Sequence, residues 1–119
     1  MKPETRAMIA ASAYALIFGK KVAGVHDHAS GVDLDIAAEA REGRVQAVDG
    51  ARSVRFAGTL PEVRDSSTGA YISFELDGTT ARGFDRATSS HFSLRAQDQI
   101  VQLYDHGQEA WFAFSIQTI

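Results

Sequence analysis

The 119-residue chain contains no cysteine, which excludes disulfides, thiolate metal sites, iron–sulfur clusters and a cysteine nucleophile together. It has only two prolines, Pro3 and Pro61, and both stand where a structural element would begin. No apolar run is long enough to span a membrane: the most apolar segment, Ala7–Phe18, falls well short of the roughly 20 residues a spanning helix needs. Neither charge sign dominates. The net charge of −3 gives nucleic acid and acidic lipid no bulk attraction, so neither nucleic acid nor membrane is expected as a partner. Phosphate-binding and dinucleotide-binding glycine motifs are missing, and the glycines are spread singly. No cofactor is implied, and the NTPase and Rossmann classes drop out.

What remains is the composition of one globular domain, residues 1–119, with 45% hydrophobic and 23% charged residues. A cysteine-free chain of this kind is compatible with a cytoplasmic location. The first nineteen residues read as a helix. Pro3 suits the first helical position, Glu4 complements the helix N-terminus, and Gly19 suits the left-handed residue past the helix end. Between them the sequence is apolar nearly all round. Such a helix is either buried in its own fold or docked on a second molecule.

From residue 20 to 119 the texture is that of short strands broken by glycine and polar turns. Five aspartates organise it: Asp27, Asp49, Asp65, Asp85 and Asp105. Each follows a short segment able to form a strand, and each is followed by a few small or polar residues. Seven positions beyond each aspartate stands a large apolar residue: Leu34, Phe56, Ile72, Phe92 and Phe112. Nine positions beyond, Ile36, Phe74, Leu94 and Phe114 continue the alternation, with Gly58 the exception. This is a hairpin unit: a strand ends at an aspartate, the carboxylate fixes the turn by bonding nearby backbone, and the next strand presents every second side chain to one face. Glu42-Gly43, Asp77-Gly78 and Gln97-Asp98 supply tight turns between units. Residues Ala37–Glu42 suit a short helical turn or a strand about equally.

The expected fold is therefore mainly β (α+β by count): an N-terminal helix, then an antiparallel meander of roughly eight to ten short strands in five hairpin-like units. A sheet of that length closes into a barrel; a radial, pseudo-symmetric sheet is the alternative.

Candidate functional residues fall into two groups. His26 and His28 share a strand face, as two ligands of one metal ion would, with further ligands to come from His91, Asp105 or His106. Tyr71, Tyr104 and Trp111 are candidate ligand-stacking residues, because Trp111 falls out of phase with the core positions of its strand. No serine sits in a Gly-x-Ser-x-Gly elbow. Arg82, Arg86 and Arg95 are interspersed with acids and read as a self-paired surface. These features support a non-catalytic binding or interaction domain, self-associating into a homo-oligomer through the apolar helix. A small-molecule-binding β-barrel and a metal-dependent enzyme built on the histidines are the alternatives.

Overall fold

The computed structural model describes residues 1–119: one helix, α1 (Pro3–Phe18), and eleven strands. The strands are β1 (Val22–Asp27), β2 (Val32–Leu34), β3 (Ile36–Arg41), β4 (Arg44–Asp49), β5 (Val54–Thr59), β6 (Glu62–Asp65), β7 (Tyr71–Asp77), β8 (Thr80–Asp85), β9 (Ser90–Gln97), β10 (Ile100–Asp105) and β11 (Ala110–Thr118). All pairings are antiparallel, neighbours in the sheet follow chain order from β3 to β11, and β11 returns to pair with β1. The ribbon is thus a closed barrel; the radial alternative is not adopted. The strand number exceeds the expected eight to ten because β2 and β3 are two pieces laid along the same edge of β1, interrupted at Asp35. The ring proper has ten strands, with β2 an added piece paired only to β1. Residues Ala37–Arg41 belong to strand β3, with no helical turn there.

Each of the five aspartates ends a strand and is buried. Asp27, Asp49, Asp85 and Asp105 face the residue five positions on, and the Asp65 N–H donates to the Ala70 carbonyl in the equivalent place. In four corners the carboxylate accepts the N–H two residues ahead: Ala29 to Asp27 (2.9 Å), Ser67 to Asp65 (2.8 Å), Ala87 to Asp85 (3.0 Å) and Gly107 to Asp105 (2.9 Å). At Asp49 the nearest cation is Arg52, 3.6 Å away. Four residues past every aspartate the backbone is left-handed: Gly31 (φ 70°), Ser53 (56°), Gly69 (75°), Ser89 (53°) and Glu109 (53°). Such a residue closes a four-residue hairpin loop. At the opposite end of the barrel two expected turns sit one residue later in the chain. Asp77 pairs with Thr80, so the loop is Gly78-Thr79, and Gln97 pairs with Ile100, so the loop is Asp98-Gln99. Gly78 supplies the positive φ at the first loop position, which sets the register there.

The helix occupies the barrel interior. Gly19 ends it in the left-handed conformation, its N–H donating to the Ala15 carbonyl at 2.9 Å. Every residue from Arg6 to Ala15 is buried. The physical reason is width. An eight-stranded barrel is just filled by its own side chains, and a wider ring needs something more. Here that filler is a slim helix with alanine at positions 7, 10, 11, 13 and 15. It packs chiefly on β1, β3, β4, β9, β10 and β11. The expectation that this helix mediates self-association loses its surface, since the barrel encloses the apolar flanks of the helix.

The inward side chains are those that the aspartate phase marks out. Phe56, Ile72 and Phe92 are buried, as are Ile36, Phe74, Leu94 and Phe114, while Leu34 and Phe112 are partly buried against the same core. Gly58 breaks the pattern because a Cβ there would stand 2.6 Å from the Glu62 carbonyl oxygen. Gly83 is needed for a similar reason: it lies between Phe74 and Phe92 on neighbouring strands, whose rings meet edge-on at 5.6 Å, and a Cβ would reach within 2.6 Å of the Phe92 ring.

Candidate functional site

With the core facing inward, the alternate residues of β8–β11 face out and form an aromatic band. Phe84 on β8 meets His91 on β9 (ring centroids 4.6 Å apart) and His91 neighbours His106 (6.5 Å). His106 meets Tyr104 (4.8 Å), and Tyr104 meets Trp111 on β11 (5.2 Å). Two of these contacts are direct cross-strand pairs, Phe84 with His91 and Tyr104 with Trp111. The band follows from alternation and register alone. Trp111 is 63% exposed despite its size. Its out-of-phase position in the sequence is therefore realised, with the helix on the far side of the sheet.

Beside the band runs a surface groove in two connected parts. One, of about 760 Å³, is lined by Ser73, Phe84, His91 and His106; the other, of about 520 Å³, by Thr80, Arg95 and Trp111. Both parts share Glu75, Arg82 and Ser93. Arg82 donates from Nη2 to Glu75 Oε1 at 3.0 Å and from Nε to Oε2 at 3.3 Å, a forked pair across β7 and β8. The hydrogen bond, and then the charge, of Arg82 hold the Glu75 carboxyl below its ordinary range, and Glu75 raises Arg82 in return. The groove lining thus carries a paired carboxylate and guanidinium, both largely exposed to solvent. Arg86 is likewise paired, with Glu62, so two of the three clustered arginines are self-paired.

Tyr71 does not join this group. It is exposed on β7 beside Arg64, with β8, β9 and β10 between it and Trp111.

The structure divides the four candidate histidines into two pairs. His26 and His28 lie at the end of β1 with ring centroids 5.5 Å apart. His26 Nδ1 is 2.7 Å from Asp33 Oδ1 on β2, and His28 Nε2 is 2.6 Å from Ser115 Oγ on β11. His91 and His106 belong to the aromatic band, where His106 Nε2 is 3.2 Å from Ser93 Oγ. No three His, Asp or Glu side chains converge as an enclosed metal site would require, and Asp105 is turned inward away from the histidines. The four-residue metal constellation expected from sequence is therefore not assembled. No motif in the sequence ties Ser115 to the histidines. Asp33 follows from the Asp27 corner once its loop length is known, whereas Ser115 arrives through ring closure, which carries no local signal.

Inside the barrel, Asp105 meets the Met1 amino group at 3.1 Å and Arg6 Nη1 at 3.4 Å. Arg6 also donates to the Met1 carbonyl at 2.7 Å and lies 3.6 Å over the Phe112 ring. Burial pushes the Asp105 carboxyl up. The hydrogen bond and charge of the amino group, joined by the Gln108 and Gly107 N–H groups, more than offset this and leave it below its ordinary value. The helix N-terminus and two cations thus face the end of the barrel that carries the aspartates. The main clefts of the molecule lie on its outside, and the helix fills the space in which a barrel ligand would sit.

No helix is long and apolar enough to cross a membrane. Compared with protein-family models, curated proteins and solved structures, the chain matches none, so the geometry above is what bears on function.

Proposed function

We propose that this protein is a non-catalytic binding module that engages its ligand on the outer face of β8–β11, not within the barrel. The observation that carries this reading is Trp111: a large aromatic held open to solvent, backed by Tyr104 at 5.2 Å, at the side of a groove lined by a carboxylate–guanidinium pair. An exposed indole that its own fold leaves uncovered is the type of side chain that dominates recognition surfaces. Rigid cross-strand neighbours lower the ordering cost of binding. The Ser93–His106 and Ser115–His28 contacts bond one ring nitrogen each, and neither histidine has a carboxylate orienting the other, so neither pair is a Ser–His–Asp triad. The helix occupies the interior in which the alternative, a ligand held inside the barrel, would place its ligand.

The test uses backbone NMR with a small-molecule fragment library. Binding fragments are expected to shift Arg82, His91, Ser93 and Trp111 together, and Trp111→Ala is expected to abolish those shifts while leaving the fold intact. Fragments that instead shift helix and core residues, or that bind Trp111→Ala unchanged, would overturn the reading. The chain has one tryptophan, so its fluorescence is an independent reporter of the same face.

A further inference from the structure

We propose that His26 and His28 form a bidentate chelate for a borderline divalent cation, Zn²⁺, Cu²⁺ or Ni²⁺, on the outer end of β1. Three observations carry it. The first is spacing. Metal–nitrogen bonds of about 2.0–2.1 Å at tetrahedral angles place two imidazole centroids roughly 5 Å apart. The His26 and His28 centroids are 5.5 Å apart, whereas those of His91 and His106, at 6.5 Å, are spread towards a linear arrangement that zinc does not take.

The second is orientation. Ligating histidines usually give their other ring N–H to a carboxylate or carbonyl, which fixes the tautomer and aims the lone pair. Asp33 does this for His26: it accepts from Nδ1 at 2.7 Å and leaves Nε2 free. Ser115 Oγ, 2.6 Å from His28 Nε2, engages that nitrogen, so Nδ1 is the His28 ring nitrogen without a protein partner. The third is the common scaffold. His26 faces Asp33 on one side and Ser115 on the other in the ladder, so one rung of β2, β1 and β11 supplies a ligand and both groups that orient the pair.

Both imidazoles are at the surface, so water completes the coordination shell and the ion keeps exchangeable positions. Imidazole donors suit Zn²⁺, Cu²⁺ and Ni²⁺ over Mg²⁺ and Ca²⁺, which prefer oxygen. The proposal is independent of the aromatic face and stands or falls without it.

The experiment is calorimetric titration of the untagged full chain with Zn²⁺ and, separately, Cu²⁺, with electron paramagnetic resonance of the copper form. One ion per chain is expected, with two-nitrogen hyperfine coupling. His26→Ala and His28→Ala should each weaken binding at least about tenfold. Asp33→Asn should weaken it about 10–100-fold, the usual effect of losing an orienting partner, without changing the melting temperature of the metal-free protein. His91→Ala and His106→Ala should leave affinity unchanged. Absence of one-to-one binding, or equal loss in the His91 and His106 variants, overturns the site. Unchanged affinity in Asp33→Asn overturns the orienting role.

Discussion

The two walls of the barrel interior differ. Where β3 and β4 face the helix, the inward residues include Ala38 and Ala47 among Ile36 and Val45. Across the interior, β5 to β9 send in Phe56, Ile72, Phe74 and Phe92. One wall is trimmed to admit a helix and the other is thick enough to reach it. The helix packs most extensively against the trimmed wall, where small side chains leave it room, given that interiors pack at crystal-like density. Side-chain size thus helps to set the helix position.

The strongest way to break this arrangement is to hollow the thick wall. Phe92→Ala removes a buried ring that meets Phe74 over Gly83 and should cost about 3–5 kcal/mol in denaturant unfolding. Filling the trimmed wall is the complementary test: Ala47→Leu pushes on the helix and should cost about 1–3 kcal/mol, though it adds apolar surface. A gain in stability there would show that the helix position is not set by volume. A smaller effect separates the corners. Asp85→Ala loses the Ala87 and Thr88 bonds and should cost about 1 kcal/mol. Asp105 differs from that corner because it also faces two cations. Its folded-state pKa is depressed, so its stabilisation is full above the unfolded carboxylate value, about 3.9, and is lost as pH falls through the lower folded value. Melting curves of the parent and Asp105→Asn chains should therefore converge in strong acid and separate towards neutrality. The smallest effect belongs to the outside: Trp111→Ala should change stability by less than about 0.5 kcal/mol, since that ring is mostly in solvent.

Much of this architecture is written locally. The helix ends at Pro3 and Gly19, the aspartate corners and the inward phase of Phe56, Ile72, Phe92 and Phe114 each follow from short-range chemistry: a left-handed glycine, a side chain bonding its own turn, a period of two. The slips at Gly78-Thr79 and Asp98-Gln99 are of the same scale, one residue, because adjacent polar residues compete for a two-residue loop. What is not local is closure. Whether an apolar helix lies under a sheet, between molecules or inside a ring depends on strand number, and the interruption at Asp35 disguises that number. The aromatic band is intermediate: Trp111 betrays itself by phase, but its neighbours His91 and His106 are joined to it only through three strands of register. Tyr71 shares the chemistry and not the register.

The pairing of β1 with β11 has a consequence for folding. It joins residues far apart in sequence, Val22 with Thr118 and Asp27 with Phe114, so the ring is sealed by the contact whose loop closure costs most. Until that seam zips up, the alanine-rich rod lacks its full wall and the molecule stays sticky.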